Sequence, residues 1–285
     1  MNDVAPGTAI AVATSGWEAR LALSYASRGQ RTVVDRREHH GPLVVQKPLY
    51  PEGESVCQSI IVHPPGGIAG GDTLLLDVQV GEHARAQLTT PAAAKWYRST
   101  GATSQQILRL SGARASLLEW LPQESIVFDG AVAELVTDVT LSEDAVFLGW
   151  DIVCLGRRLA GEKWTRGCLR HDLVLRRGGQ RQWAERVLIG GGKELLYARV
   201  GLDHKSVFGT FFASAMHIPE HLIATSRAIE CDEGEGAVTH LPGVFLARYR
   251  GESAEAARKY FAALWACARP ALAKLSAMTP RIWNT

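Results

Sequence analysis

The side chains able to do chemistry are dispersed through this chain, and several acidic ones stand next to turn residues. Asp72 follows the glycines of His63-Pro-Pro-Gly-Gly-Ile-Ala-Gly-Gly-Asp72, Glu119 and Glu124 bracket Leu121-Pro122, and Glu162 follows Gly161. Carboxylates so placed can hold a divalent metal ion weakly and release it, or accept hydrogen bonds from turn amides, the commoner use of an acidic residue there. Nine histidines are scattered, with His39 and His40 adjacent and His217 four residues before His221. Neighbours on a strand point to opposite faces, and Pro219 opens a helix that leaves His217 outside it, so neither pair forms a ligand set. The chain has no G-x-S-x-G elbow, no H-E-x-x-H and no kinase signature set.

The segment His63 to Asp72 carries two prolines and four glycines between apolar runs. Pro64 and Pro65 fix φ, while Gly66, Gly67, Gly70 and Gly71 permit positive φ and close backbone approach. Gly66 and Gly71 have the spacing of a phosphate loop, but Asp72-Thr73 follows where such a loop needs Lys and then Ser or Thr. Pro65 occupies the first glycine position of a dinucleotide fingerprint. The segment is a shaped turn, and nucleotide binding fails on both motifs.

The elements that position these residues read as strands. Short runs broken by turn residues cover Glu18 to Ala26, Gln30 to Glu38, Leu43 to Gln46, Val56 to Val62, Leu74 to Val80, Ala84 to Thr89, Ser104 to Leu110, Ala115 to Trp120 and Glu134 to Leu141. From Ala145 to Leu155, Val146, Leu148, Trp150, Ile152 and Cys154 share one face; Asp151 lies on the other with Phe147, Val153 and Leu155. A carboxylate among apolar neighbours on both faces is paired in the core or lines a polar passage. Leu169 to Arg176 and Gln180 to Leu188 are joined by Arg177-Gly178-Gly179, a hairpin signal, and another strand is expected over Leu195 to Val200. Helix is expected in two further places. Thr90-Pro91 followed by three alanines suggests a short helix toward Arg98, and Ser253 caps a helix with Ala257, Phe261, Leu264 and Trp265 on one face, which Pro270 should kink or end.

Hydrophobic residues make up 46% of the chain and charged residues 21%, which suits a compact globular protein. The net charge of +2 comes from interspersed residues, so no nucleic-acid footprint stands out. Arg36-Arg37 and Arg176-Arg177 read as solvated strand ends or turns. Five widely spaced cysteines argue against a disulfide framework and fit a reducing cytoplasm. No secretory leader or membrane-length apolar run is seen. No repeat of fixed period and no linker divides the chain, so one domain over residues 17–285 is expected, preceded by a flexible tail over 1–16.

His63-Pro-Pro-Gly-Gly-Ile-Ala-Gly-Gly-Asp72, Leu88-Thr-Thr-Pro-Ala-Ala-Ala-Lys95-Trp-Tyr-Arg98, Leu118-Glu-Trp-Leu-Pro-Gln-Glu124 and Pro280-Arg-Ile-Trp-Asn-Thr285 together resemble the UreD family of urease accessory proteins, called UreH in some species. The resemblance runs from about Trp17 to the C-terminus. It implies a mainly β, helicoid or β-solenoid-like array of short strands with a few helices, including a C-terminal one. It also implies a cytoplasmic scaffold without catalysis, with no tightly bound cofactor and no nucleic-acid or membrane partner. The expected partners are urease apoprotein, UreF and, through UreF, UreG, in the insertion of nickel. Nickel in transit through an internal passage would meet polar residues on otherwise apolar strands, and Asp72, Asp151, Glu162 and Glu185 are the candidates. A passage must release its ion, which scattered carboxylates allow better than a closed four-ligand site. The alternatives are a metal-dependent hydrolase using dispersed His and Asp, and a polysaccharide-binding solenoid, which needs an exposed aromatic ladder.

Overall fold

The computed structural model describes residues 16–284. The tail expected over 1–16 lies outside the described residues except for Gly16, whose backbone lies against Gly71. Seventeen strands follow in order: β1 (Glu18–Arg28), β2 (Arg31–His40), β3 (Val44–Val45), β4 (Cys57–Val62), β5 (Thr73–Val80), β6 (Arg85–Thr89), β7 (Ala94–Trp96), β8 (Ser104–Gly112), β9 (Leu117–Leu121), β10 (Ser125–Val127), β11 (Val132–Leu141), β12 (Val146–Leu155), β13 (Cys168–Arg177), β14 (Gln180–Gly190), β15 (Val207–Ser214), β16 (Glu235–Leu241) and β17 (Val244–Gly251). The helices are α1 (Glu220–Arg227) and α2 (Ala254–Ala273).

The chain winds as a coil that visits two sheets in turn. One sheet has the order β14-β13-β11-β8-β5-β1-β2 and the other β16-β17-β15-β12-β9-β6-β4-β3. Within them β5, β8, β11 and β13 run parallel, as do β4, β6, β9 and β12. A third, narrower side stacks Ile68 on Trp96, β7 on β10, and β10 on the end of β12, all in parallel. The fold is therefore mainly β, with solenoid-like stacked coils and a C-terminal helix, as the resemblance implies. Thr73, Gln105, Glu134 and Arg170 follow one another across four strands, at intervals of 32, 29 and 36 residues.

Period-two alternation builds the core between the sheets. Leu74, Leu76, Val78 and Val80 of β5 face Phe147, Val153 and Leu155 of β12 across one apolar layer that reaches from Ala19 to Leu246. The other face of β12 carries Leu148, Trp150, Ile152 and Cys154 into a second layer under α2. Phe261 and Trp265 are buried there, so they belong to the core and not to a free surface. The Ser253 hydroxyl accepts from the Ala256 amide and caps α2. At the C-terminus Trp283 packs against Trp150 and Trp265, and its indole donates to Thr89.

Four local expectations differ from the structure. The segment after Pro91 is strand, because β7 pairs with β10 and Ile68 exchanges backbone hydrogen bonds with Lys95 and Tyr97; these pairings override the helix preference of three alanines. Leu195 to Val200 is a 3₁₀ turn over Glu194–Leu196 followed by turns, whose amides bond locally, Tyr197 and Ala198 to the Glu194 carbonyl and Gly201 to that of Ala198. The helix α2 continues past Pro270 to Ala273, losing one amide donor close to its end. Arg177 is buried rather than solvated: its guanidinium donates to the carbonyls of Ser142, Glu143 and Ala145 and to the Ser214 hydroxyl, binding the β13–β14 hairpin to the opposite sheet.

Candidate functional site

The His63–Asp72 turn belongs to the third side of the coil, and its glycines divide into two kinds. Gly66 and Gly71 have positive φ, at 72° and 95°. Gly67 and Gly70 lie where a Cβ would meet the Tyr97 ring at 2.1 Å and the Ser99 hydroxyl at 2.4 Å. Asp72 closes the turn, accepting from the Trp17 amide at 2.8 Å and from the Ala69 amide at 2.8 Å.

This turn borders a cavity of about 250 Å³ that enters the space between the sheets, with His63, Lys95, Gln106, Gln123, Ser125 and Asp151 among its polar lining. Most of its remaining wall is apolar, including Leu74, Leu76, Leu108 and Trp120. Burial pushes the His63 imidazole below its usual range, against the pull of Asp72.

Asp151 stands at the inner end, on the face of β12 that meets the opposite sheet. Its Oδ2 accepts from the Thr137 hydroxyl at 3.4 Å and lies 3.5 Å from Nε2 of His171, which is 2% exposed. Thr210 of β15 is the cross-strand partner of Asp151. The Thr210 hydroxyl in turn donates to Glu185 of β14 at 3.2 Å, and Glu185 pairs with Arg248 at 2.5 Å. Thr210, Glu185 and Arg248 line a second cleft of about 500 Å³. A line of polar side chains thus runs through the apolar interior from one cavity to another, carried by β11, β12, β13, β14 and β15.

The four sequence candidates consequently have different surroundings. Asp151 and Glu185 lie on the line between the sheets. Asp72 is a turn residue beside the mouth of the first cavity. Glu162 is remote from that line: it accepts from the amides of Arg157 and Asp129 and pairs with the Arg157 guanidinium, which with the Asp129 and Arg157 amides holds its carboxyl below the usual range despite partial burial. His171, Thr137 and Thr210 join the line without having been singled out, although Leu169, His171, Leu173 and Leu175 alternate inward on β13 and so place a polar residue in an apolar face, the same signal that marks Asp151. Among the described residues no three His, Cys, Asp or Glu side chains converge on one metal position. None of the described helices is long and apolar enough to cross a membrane.

The chain matches the family described as UreD urease accessory protein over residues 18–284. Proteins named urease accessory protein UreD from Azoarcus sp. (strain BH72) and Methylobacillus flagellatus are 47% and 46% identical, each alignment covering 100% of both chains. The protein of that name from Nitrosococcus oceani is 47% identical over 94% of this chain and 90% of its own. With a family match over residues 18–284 and relatives this similar over the full chain, the chain belongs to the UreD family of urease accessory proteins.

Proposed function

We propose that this chain is a non-enzymatic assembly factor that binds urease apoprotein, recruits UreF and through it UreG, and conducts nickel between its two sheets during urease maturation in the cytoplasm. The observation that carries the passage is Asp151: a carboxylate 9% exposed, between two apolar sheet faces, at the inner end of one cavity and in register with Thr210, which contacts Glu185 at the second. Isolated carboxylates in an apolar channel attract a divalent cation while offering too few ligands to trap it. On this reading Asp151 and Glu185 line the route, Asp72 holds the shape of its entrance, and Glu162 fixes an adjoining loop.

The test is the nickel content and activity of urease co-expressed with UreE, UreF and UreG, with and without this chain, in nickel-supplemented cells. Nickel-poor, inactive urease only when the chain is missing supports the assembly role. Equal nickel in both cultures overturns it.

A further inference from the structure

The imidazole of His171 is enclosed between the sheets, yet neither of its ring nitrogens has a hydrogen-bond partner among the protein groups around it. Buried polar atoms are nearly always paired, and an unpaired one points to a function or to a bound species. Oδ2 of Asp151 is 3.5 Å from Nε2, beyond the usual range of a good N–H···O hydrogen bond. The Thr137 hydroxyl approaches the same oxygen only to 3.4 Å. Two atoms too far apart to bond one another are well spaced to share an ion. With metal–ligand distances of about 2.1 Å, a nitrogen and an oxygen separated by 3.5 Å subtend an angle of about 113° at the metal, and a closure of about 0.5 Å brings this to about 90°, the angle of a tetragonal nickel site.

We infer that His171 and Asp151 form a two-ligand station for a divalent transition-metal ion, with Thr137 beside it and water completing the coordination. An imidazole nitrogen next to a carboxylate selects a borderline metal over the hard alkaline-earth ions, which prefer an all-oxygen shell. Two protein ligands hold an ion less firmly than the closed four-ligand sets of structural sites, and the first cavity reaches Asp151 from outside. The edge of the ring packs on Phe208, which keeps the imidazole in place whether or not an ion is bound. The station rests on the passage reading for its cargo, nickel, and specifies where within the passage a nitrogen ligand replaces a water.

The experiment is equilibrium dialysis of the full chain against Ni²⁺, with His171→Gln and Asp151→Asn compared at matched circular dichroism. Each variant should weaken one site at least about tenfold, and the double variant should weaken it no further than the more severe single one, because both residues serve the same ion. Identical titrations of wild type and His171→Gln would overturn the station. A second measurement needs no variant: X-ray absorption at the nickel edge of the wild-type chain loaded with one equivalent should show imidazole scattering, and an all-oxygen shell would overturn the proposal. Failure of the station is distinguishable from failure of the passage reading. If urease loading depends on the chain but His171→Gln binds and delivers nickel normally, only the station falls; if loading is independent of the chain, the assembly reading falls whatever the chain binds.

Discussion

At the scale of single residues, neighbouring glycines of one motif are needed for different reasons. Gly66 has φ of 72° and open space around it, so Gly66→Ala should cost only the left-handed backbone penalty, about 1–2 kcal/mol. Gly67 has ordinary φ but touches the Tyr97 ring, so Gly67→Ala should be relieved by Tyr97→Ala whereas Gly66→Ala should not; urea unfolding of the two double variants checks this. Asp129 offers a pH test. Burial alone would raise its carboxyl, but the amides of Thr165 and Arg166, together with the Arg166 guanidinium, outweigh that and hold it at about 2. Because the folded value lies below the unfolded one of 3.8, this interaction stabilises the fold fully above about pH 4 and is lost as pH falls through about 2. Asp129→Asn should therefore cost about 2 kcal/mol at pH 7 and almost nothing at pH 2, measured by urea midpoints across that range. A constant difference between wild type and variant would contradict the assignment.

Among the elements, α2 depends on a buried ion network as well as on its apolar face. Glu119 of β9 accepts from Trp265 at 2.7 Å and from Arg269 at 3.0 Å, and Arg269 also donates to Glu52 and to the Ser276 carbonyl. On the sheet side Gln58 donates to Gln87, and Gln87 to Glu119, along cross-strand neighbours of β4, β6 and β9. Burial pushes the Glu119 carboxyl up, against the pull of Arg269 and the Trp265 indole. Arg269→Met leaves two buried carboxylates without their cation and should cost about 3–5 kcal/mol, whereas Glu119→Leu combined with Arg269→Met should cost less than Arg269→Met alone. Chemical denaturation of the three proteins decides it; a neutral Arg269→Met would mean that the apolar face holds α2 unaided. The same region shows how far local sequence is legible. Ser253 as a cap and the spacing of Phe261, Leu264 and Trp265 mark α2 unaided, while the alanines after Pro91 mislead because β7 exists through its pairing with β10 on one side and Ile68 on the other.

For the whole molecule, the passage reading makes a spatial prediction. Asp151→Ala and Glu185→Ala should lower the nickel content of co-expressed urease while the accessory complex still assembles. Asp77→Ala, on the outer face of β5 where it faces Arg20 and Arg109, should leave nickel content unchanged. Equal loading with all three would remove the interior carboxylates from the route. The coil that creates this interior is hidden from simple repeat searching, because its successive turns differ in length: Thr73, Gln105, Glu134 and Arg170 are adjacent in space at unequal intervals in sequence.

The sequence by itself determined the family, through four linked motifs, and most of the strands, through alternation that any pleated surface imposes. It also marked Asp151 as a polar residue on an inward face, because period two assigns faces without knowledge of the partner strand. Only the tertiary structure decided what lies opposite that face. His171 stands twenty residues beyond Asp151 and Glu185 thirty-four, each on a different strand; the packing of one sheet on the other sets His171 beside Asp151, and the antiparallel pairings of β12 with β15 and of β13 with β14 carry Thr210 and Glu185 to the same interior line. Likewise Asp72 and Glu162 stand beside turns and Asp151 within a strand, all three readable from sequence as acidic residues near apolar runs, and only the folded chain shows that backbone amides reach the oxygens of the first two.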